Sequence, residues 1–101
     1  MFNWDGEAKD FLDYLHKERN YSPNTVLAYQ RDLLALRAFL EKQGLPIEVT
    51  VTEARLFLHH MQSENYSRRS IARKVSACTA FWKFRQRFYK VDANPWEYIS
   101  T

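Results

Sequence analysis

Glycine and proline account for only five of the 101 residues, and four of those five stand where a helix would start or stop. Punctuation this sparse divides the chain into helices joined by short loops. The first helix is expected from Asp5, as N-cap, to about Arg19, with Ala8, Phe11, Leu12 and Leu15 on its apolar face. "NYSPNT" breaks the pattern: Ser22 is an N-cap type, and Pro23 suits the first helical position, where its missing N–H costs nothing. The second helix then runs to about Gln43, with Gly44 at C′ and Pro46 beyond it. Val26, Tyr29, Leu33, Leu36 and Leu40 form its main stripe, while Leu27, Leu34 and Phe39 lie elsewhere on the wheel. An apolar surface that broad predicts a central helix. "LPIEVTV" is rich in β-formers but reads as an extended connector, because nothing else in the chain offers it a partner strand. Thr52 is expected to cap a third helix over 53–64, and Ser67 a fourth that extends to about Tyr89. "NPWEYIST" reads as a short helical turn with Asn94 as cap and Pro95 at its first position. The fold class is all-α, a bundle of four to five helices in one domain.

A hydrophobic fraction of 46% is enough for a packed core. The lone Cys78 excludes an intrachain disulfide. No apolar run reaches the ~18 residues of a membrane span, and Asp5 and Glu7 stand where a signal peptide would carry cations. A cytoplasmic protein is the expectation. The net charge of +3 hides a segregation of sign. Residues 1–65 carry seven Lys or Arg against ten Asp or Glu, residues 66–90 carry eight cations and no acid, and residues 91–101 carry two acids. Segregation of this kind speaks to partners.

Turned about its axis at ~100° per residue, the fourth helix has two sides. Ile71, Val75, Cys78, Trp82 and Tyr89 cluster on one, flanked by Phe81 and Phe88. Arg69, Arg73, Ser76, Ala80, Lys83 and Arg87 form a stripe near the other, with small residues in its middle that let a large partner come close. Such a stripe is ~27 Å long at 1.5 Å per residue, comparable with a path across a major groove and its flanking backbones. A basic helical face can be merely solvated, but solvated faces mix signs, and this one has no acid. Ser67, Arg68, Arg69 and Ser70 also crowd the helix N-terminus, where cations oppose the helix dipole but would welcome a phosphate. Lys74 lies nearer the apolar side of the same helix. At the start of the second helix, Asn24 and Thr25, with Arg31 two turns on, make a similar group, although capping alone accounts for Ser22 and Thr25.

No catalytic constellation appears. His59 and His60 are adjacent and diverge around a helix, and His16 is isolated, so none forms a chelating pair. Two glycines cannot make a phosphate-cradling loop. Cys78 falls on the apolar face, as a core residue would. Neither a metal nor a cofactor is expected.

"FLDYLHKERNYSPNTVLAYQRDLLALRAFL", "SRRSIARKVSACTAFWKF" and "NPWEYIST" together resemble the N-terminal core-binding domain of tyrosine recombinases, most closely the XerC/XerD branch. The likeness runs from Phe11 to Thr101. It implies a SAM-like helical bundle that forms half of a clamp on duplex DNA. The other half would be a catalytic domain with a tyrosine nucleophile, absent here, so the chain reads as one domain of a longer recombinase. It also implies that the second and fourth helices face the DNA, through Asn24, Thr25 and Arg31 and through Ser67, Arg69, Ser70, Arg73 and Ser76. Arg68, Lys74, Lys83 and Arg87 join the candidate set from the helix itself. "SACTAF" departs from the Ser-Ala-Leu-Arg usual in the family: Thr79 stands where an arginine contact is expected. The parent is expected to join a second recombinase protomer on DNA, with a septal DNA translocase as a further partner, in chromosome dimer resolution at a dif-like site. Integration of a phage, integron or mobile element is the alternative. From the residues alone, a helical protein–protein adaptor with a basic face is a rival of another class, and a membrane-surface helix is disfavoured by the full set of partner helices.

Overall fold

The local signals translate into four α-helices and a 3-10 turn in a computed structural model that describes residues 2–101: α1 (Trp4–Lys17), α2 (Pro23–Gln43), α3 (Val51–Ser63), α4 (Arg68–Tyr89) and the turn Pro95–Tyr98. No strand occurs among the described residues, and 45–50 joins α2 to α3 as a connector that bends at 47–48 instead of running extended. Ser22 caps α2 by accepting from the Thr25 N–H at 3.2 Å, and Ser67 caps α4 by accepting from the Ser70 N–H at 3.1 Å. Gly44 closes α2 in the left-handed region, at φ 65°, where a side chain would be strained.

Two helix starts differ from expectation. α1 begins at Trp4, with Asn3 rather than Asp5 as its cap, and Asn3 Oδ1 accepts from the Gly6 N–H at 3.2 Å. The earlier start carries Trp4 into the core, and Asp5 becomes a first-turn carboxylate facing the helix dipole. α3 is capped by Thr50 rather than Thr52: the Thr50 N–H and hydroxyl donate to Glu53 Oε1 at 2.7 and 2.6 Å. Those bonds hold the Glu53 carboxyl below its usual pKa. Thr-x-x-Glu is capping-box spacing, and only Thr50 stands three residues before a glutamate.

α2 is central, as expected, since it packs against all three other helices, and α4 shares that place, packing against α1, α2, α3 and the terminal turn. Leu27 and Leu34, elsewhere on α2, are exposed. Phe81 meets Phe11 at 5.3 Å and Trp4 at 5.6 Å, and Trp82 meets Trp96 of the turn at 5.9 Å. Asn94 locks that turn in place. Its Nδ2 donates to the Thr79 carbonyl at 3.1 Å, while its Oδ1 accepts from the Trp96 N–H. The expected apolar side of α4 is correct for Ile71, Val75, Cys78, Phe81 and Trp82 but not for its C-terminal end. There Phe88 and Tyr89 are exposed, and the Tyr89 hydroxyl donates to Asp10, which pushes its pKa up to about 12.

Arg85 takes the inward position instead, at 1% exposure. Its Nε donates to Glu7 Oε1 at 2.7 Å, and its Nη1 and Nη2 donate to the two carboxylate oxygens of Glu48 at 2.8 and 3.0 Å. The Phe2 ring covers its Cζ at 3.5 Å. Burial acts to lower the pKa of Arg85, and the bonds to Glu48 and Glu7 more than reverse that. This ion group, buried at Arg85 and Glu7 and open to solvent at Glu48, ties α4 to α1 and to the connector before α3.

Candidate nucleic-acid interface

Burial of one side of α4 leaves its other side to solvent, and the stripe lies there. Arg69, Arg73, Ser76, Lys83 and Arg87 are exposed, and Ala80 between them is half-buried. Arg69 and Lys83 have no carboxylate within ion-pair distance among the described residues, and the same holds for Arg68 at the helix start and Arg31 on α2. Arg87 Nη1 donates to the Tyr14 hydroxyl at 3.3 Å and its guanidinium lies 4.9 Å from the Phe88 ring, so it is braced without being neutralised.

The two remaining cations of the set meet a carboxylate. Asp32 of α2 is 1% exposed and faces α4. Arg73 Nη2 donates to its Oδ1 at 3.0 Å and Arg73 Nε to its Oδ2 at 3.1 Å, while Lys74 Nζ reaches Oδ1 at 3.3 Å. The hydrogen bonds to Asp32 raise the Arg73 pKa further above neutrality. The Arg73 side chain stays 56% exposed, but that of Lys74 is only 12% exposed and lies 5.5 Å from the Tyr66 ring. Lys74 is thus withdrawn into the bundle and leaves the cationic face. Arg73 stays on that face, but it is not the free cation that its place on the wheel implied. Its removal would leave a buried carboxylate with Lys74 as its one cationic partner among the described residues.

On α2, Asn24, Thr25 and Arg31 are exposed. Asn24 and Arg31 are seven residues apart and share one stripe, outward of the line through Asp32. Thr25 is engaged in the cap, its Oγ1 lying 3.0 Å from Ser22 Oγ. Ser67 is likewise a capping acceptor, and Ser70 supplies its N–H. The Thr79 hydroxyl donates to the Val75 carbonyl of its own helix at 2.8 Å.

One cation escaped sequence reasoning. Arg19, in the turn after α1, lines with Lys83 and Arg87 a cleft of about 210 Å³ whose floor includes Tyr21 and Ala80. The α1–α2 turn therefore extends the cationic face beside the C-terminal half of α4. On its other side Arg87 borders a cleft of mixed sign, where Asp10, Asp13 and Glu18 stand beside Lys17. Burial raises the pKa of the Cys78 thiol far above the ordinary range, which removes it as a nucleophile. Among the described residues no group of three or more His, Cys, Asp or Glu side chains could hold a metal ion, and no helix is long and apolar enough to cross a membrane.

Comparison with known proteins agrees with this architecture. The profile of the phage integrase N-terminal SAM-like domain matches residues 8–87. The chain is 42% identical over 94 residues to tyrosine recombinase XerC of Listeria monocytogenes serotype 4a, covering 91% of this chain and 31% of that relative. It is 39% identical over 87 residues to tyrosine recombinase XerC of Oceanobacillus iheyensis, covering 84% and 28%, and 36% identical over 99 residues to that of Chlorobaculum parvum, covering 90% and 30%. The chain thus spans about a third of the length of these curated relatives. No solved structure matches it at a significant level. A four-helix bundle built on this sequence pattern, matched by that profile over most of its length, belongs to the family of phage integrase N-terminal SAM-like domains.

Proposed function

We propose that this domain binds duplex DNA for a site-specific tyrosine recombinase. The observation that carries this reading is the outer side of α4, where Arg69, Lys83 and Arg87 are exposed and unneutralised on a helix packed against every other element of the bundle. A rigid helix presenting cations and small residues at helical spacing suits a groove and its two backbones. Arg31 and Asn24 of α2, Arg19 of the first turn, and Arg68 with Ser67 and Ser70 at the α4 start would add contacts at the edges. Most of these would go to phosphates, which position a protein without reading sequence. Arg69 and Arg73 are the candidates for base edges.

The similarity to XerC recombinases supports a parent that breaks and rejoins DNA through a phosphotyrosine intermediate, together with a second recombinase protomer. It also supports chromosome dimer resolution at a dif-like site, with a septal translocase as a further partner. A salt titration tests the DNA-binding reading. Neutralising about four to six phosphates gives a slope of log K against log salt of about −4 to −5. The measurement is fluorescence anisotropy with a 30-base-pair duplex from 50 to 300 mM salt. A flat response, or equal affinity for single strands, rejects the proposal and favours an acidic protein partner.

A further inference from the structure

Asp32 sits in the seam between α2 and α4 at 1% exposure, beneath a surface otherwise rich in cations. A carboxylate there is tolerable only if paired, and an apolar residue of similar size would commonly serve stability as well. It also cancels one positive charge on the face that attraction to an anion would use. Two cations serve it in different ways. Lys74 is drawn inward, while Arg73 is held by one edge only: Nε and Nη2 face Asp32 at 3.1 and 3.0 Å, Nη1 has no partner among the described residues, and the side chain is 56% exposed.

A guanidinium carries five N–H donors in a fixed plane. With its Nε/Nη2 edge on Asp32, the Nη1/Nη2 edge points away from the carboxylate, with a parallel pair of donors unused. That edge takes a phosphate or the O6/N7 face of guanine in bidentate fashion. A long side chain fixed beforehand also spares the entropy of ordering it at binding.

We infer that Asp32 is a positioning residue: it fixes the plane of the Arg73 guanidinium so that its outer edge stands ready as a fork for duplex DNA. This rests on the DNA-binding reading. Asp32 acts through Arg73 and touches no nucleic acid itself.

Charge and positioning predict opposite signs for one substitution, which makes the test decisive. Asp32→Asn adds a positive charge to the face, so attraction alone would tighten binding to a 30-base-pair mixed-sequence duplex at 100 mM salt. Loss of the fork weakens it instead, by about fivefold or more. Arg73→Lys keeps both the charge and a partner for Asp32 but has no fork, and it weakens binding by a similar factor. The double variant is no weaker than Arg73→Lys alone, because both changes act through one group. Asp32→Asn binding as tightly as the unmodified chain, or losses that add in the double variant, overturns the inference. Should Asp32→Asn fail to fold by circular dichroism, Arg73→Lys decides by itself, and unchanged affinity overturns it. If the unmodified chain does not bind the duplex at all, the DNA-binding reading fails and takes the fork with it. That outcome is distinct from binding that the variants leave untouched.

Discussion

Arg73 and Arg85 stand on one helix, each with a carboxylate partner, yet they belong to different parts of the molecule. The Arg85 side chain is 2% exposed and that of Arg73 is 56% exposed. Arg85 spends its donors on Glu7 and Glu48 and has none aimed at solvent, whereas Arg73 gives one edge to Asp32 and keeps the other. The difference shows that the eight cations of 66–90 are not one population. Arg85 and Lys74 are structural, Arg73 is shared between fold and surface, and Arg68, Arg69, Lys83, Arg87 and Lys90 lie on the surface. A charge count overstates what an anion would meet, and which helix side a residue occupies corrects it only in part.

The same substitution at three points along α4 turns this contrast into a measurement. Arg85→Met should be the most damaging. It strands Glu7, which is 7% exposed, and breaking a buried pair in this way costs about 3–5 kcal/mol. Urea unfolding would show it, and a loss below ~1 kcal/mol would mean that the buried group is dispensable. Arg73→Met should cost about 1–2 kcal/mol, because Asp32 retains only Lys74. That is more than an exposed stripe residue would cost, and a neutral outcome would move Arg73 to the surface class. Lys83→Met should leave stability within about 0.5 kcal/mol and make the salt slope of DNA binding shallower by about 0.9. If it unfolds the domain instead, the division into structural and surface cations is wrong.

The parts of this architecture that the sequence disclosed are those set by near neighbours. Ser22-Pro23, Gly44 and Asn94-Pro95 mark boundaries because caps and left-handed turns act within a few residues. The α4 stripe was visible for the same reason, since helical periodicity is a local property. Thr50 was also within reach, as the only threonine of the pair with a glutamate at capping-box distance. What escaped depends on contacts far apart in the chain. Asp32 meets Arg73 across 41 positions, and Glu7 meets Arg85 across 78. No spacing rule connects them, so neither the pairing of Arg73 and Lys74 with Asp32 nor that of Arg85 with Glu7 can be read from the helix alone. Arg19 was passed over because it lies in a turn, and only folding brings it beside Lys83 and Arg87.

Trp82 stands between Phe2, at 6.1 Å, and Trp96, at 5.9 Å. Residues near opposite ends of the sequence are therefore moored to one ring on the back of the helix whose front bears the cations. Any force that pries the 94–98 segment loose acts on the spine of α4, and so on the ruler along which its charges are set.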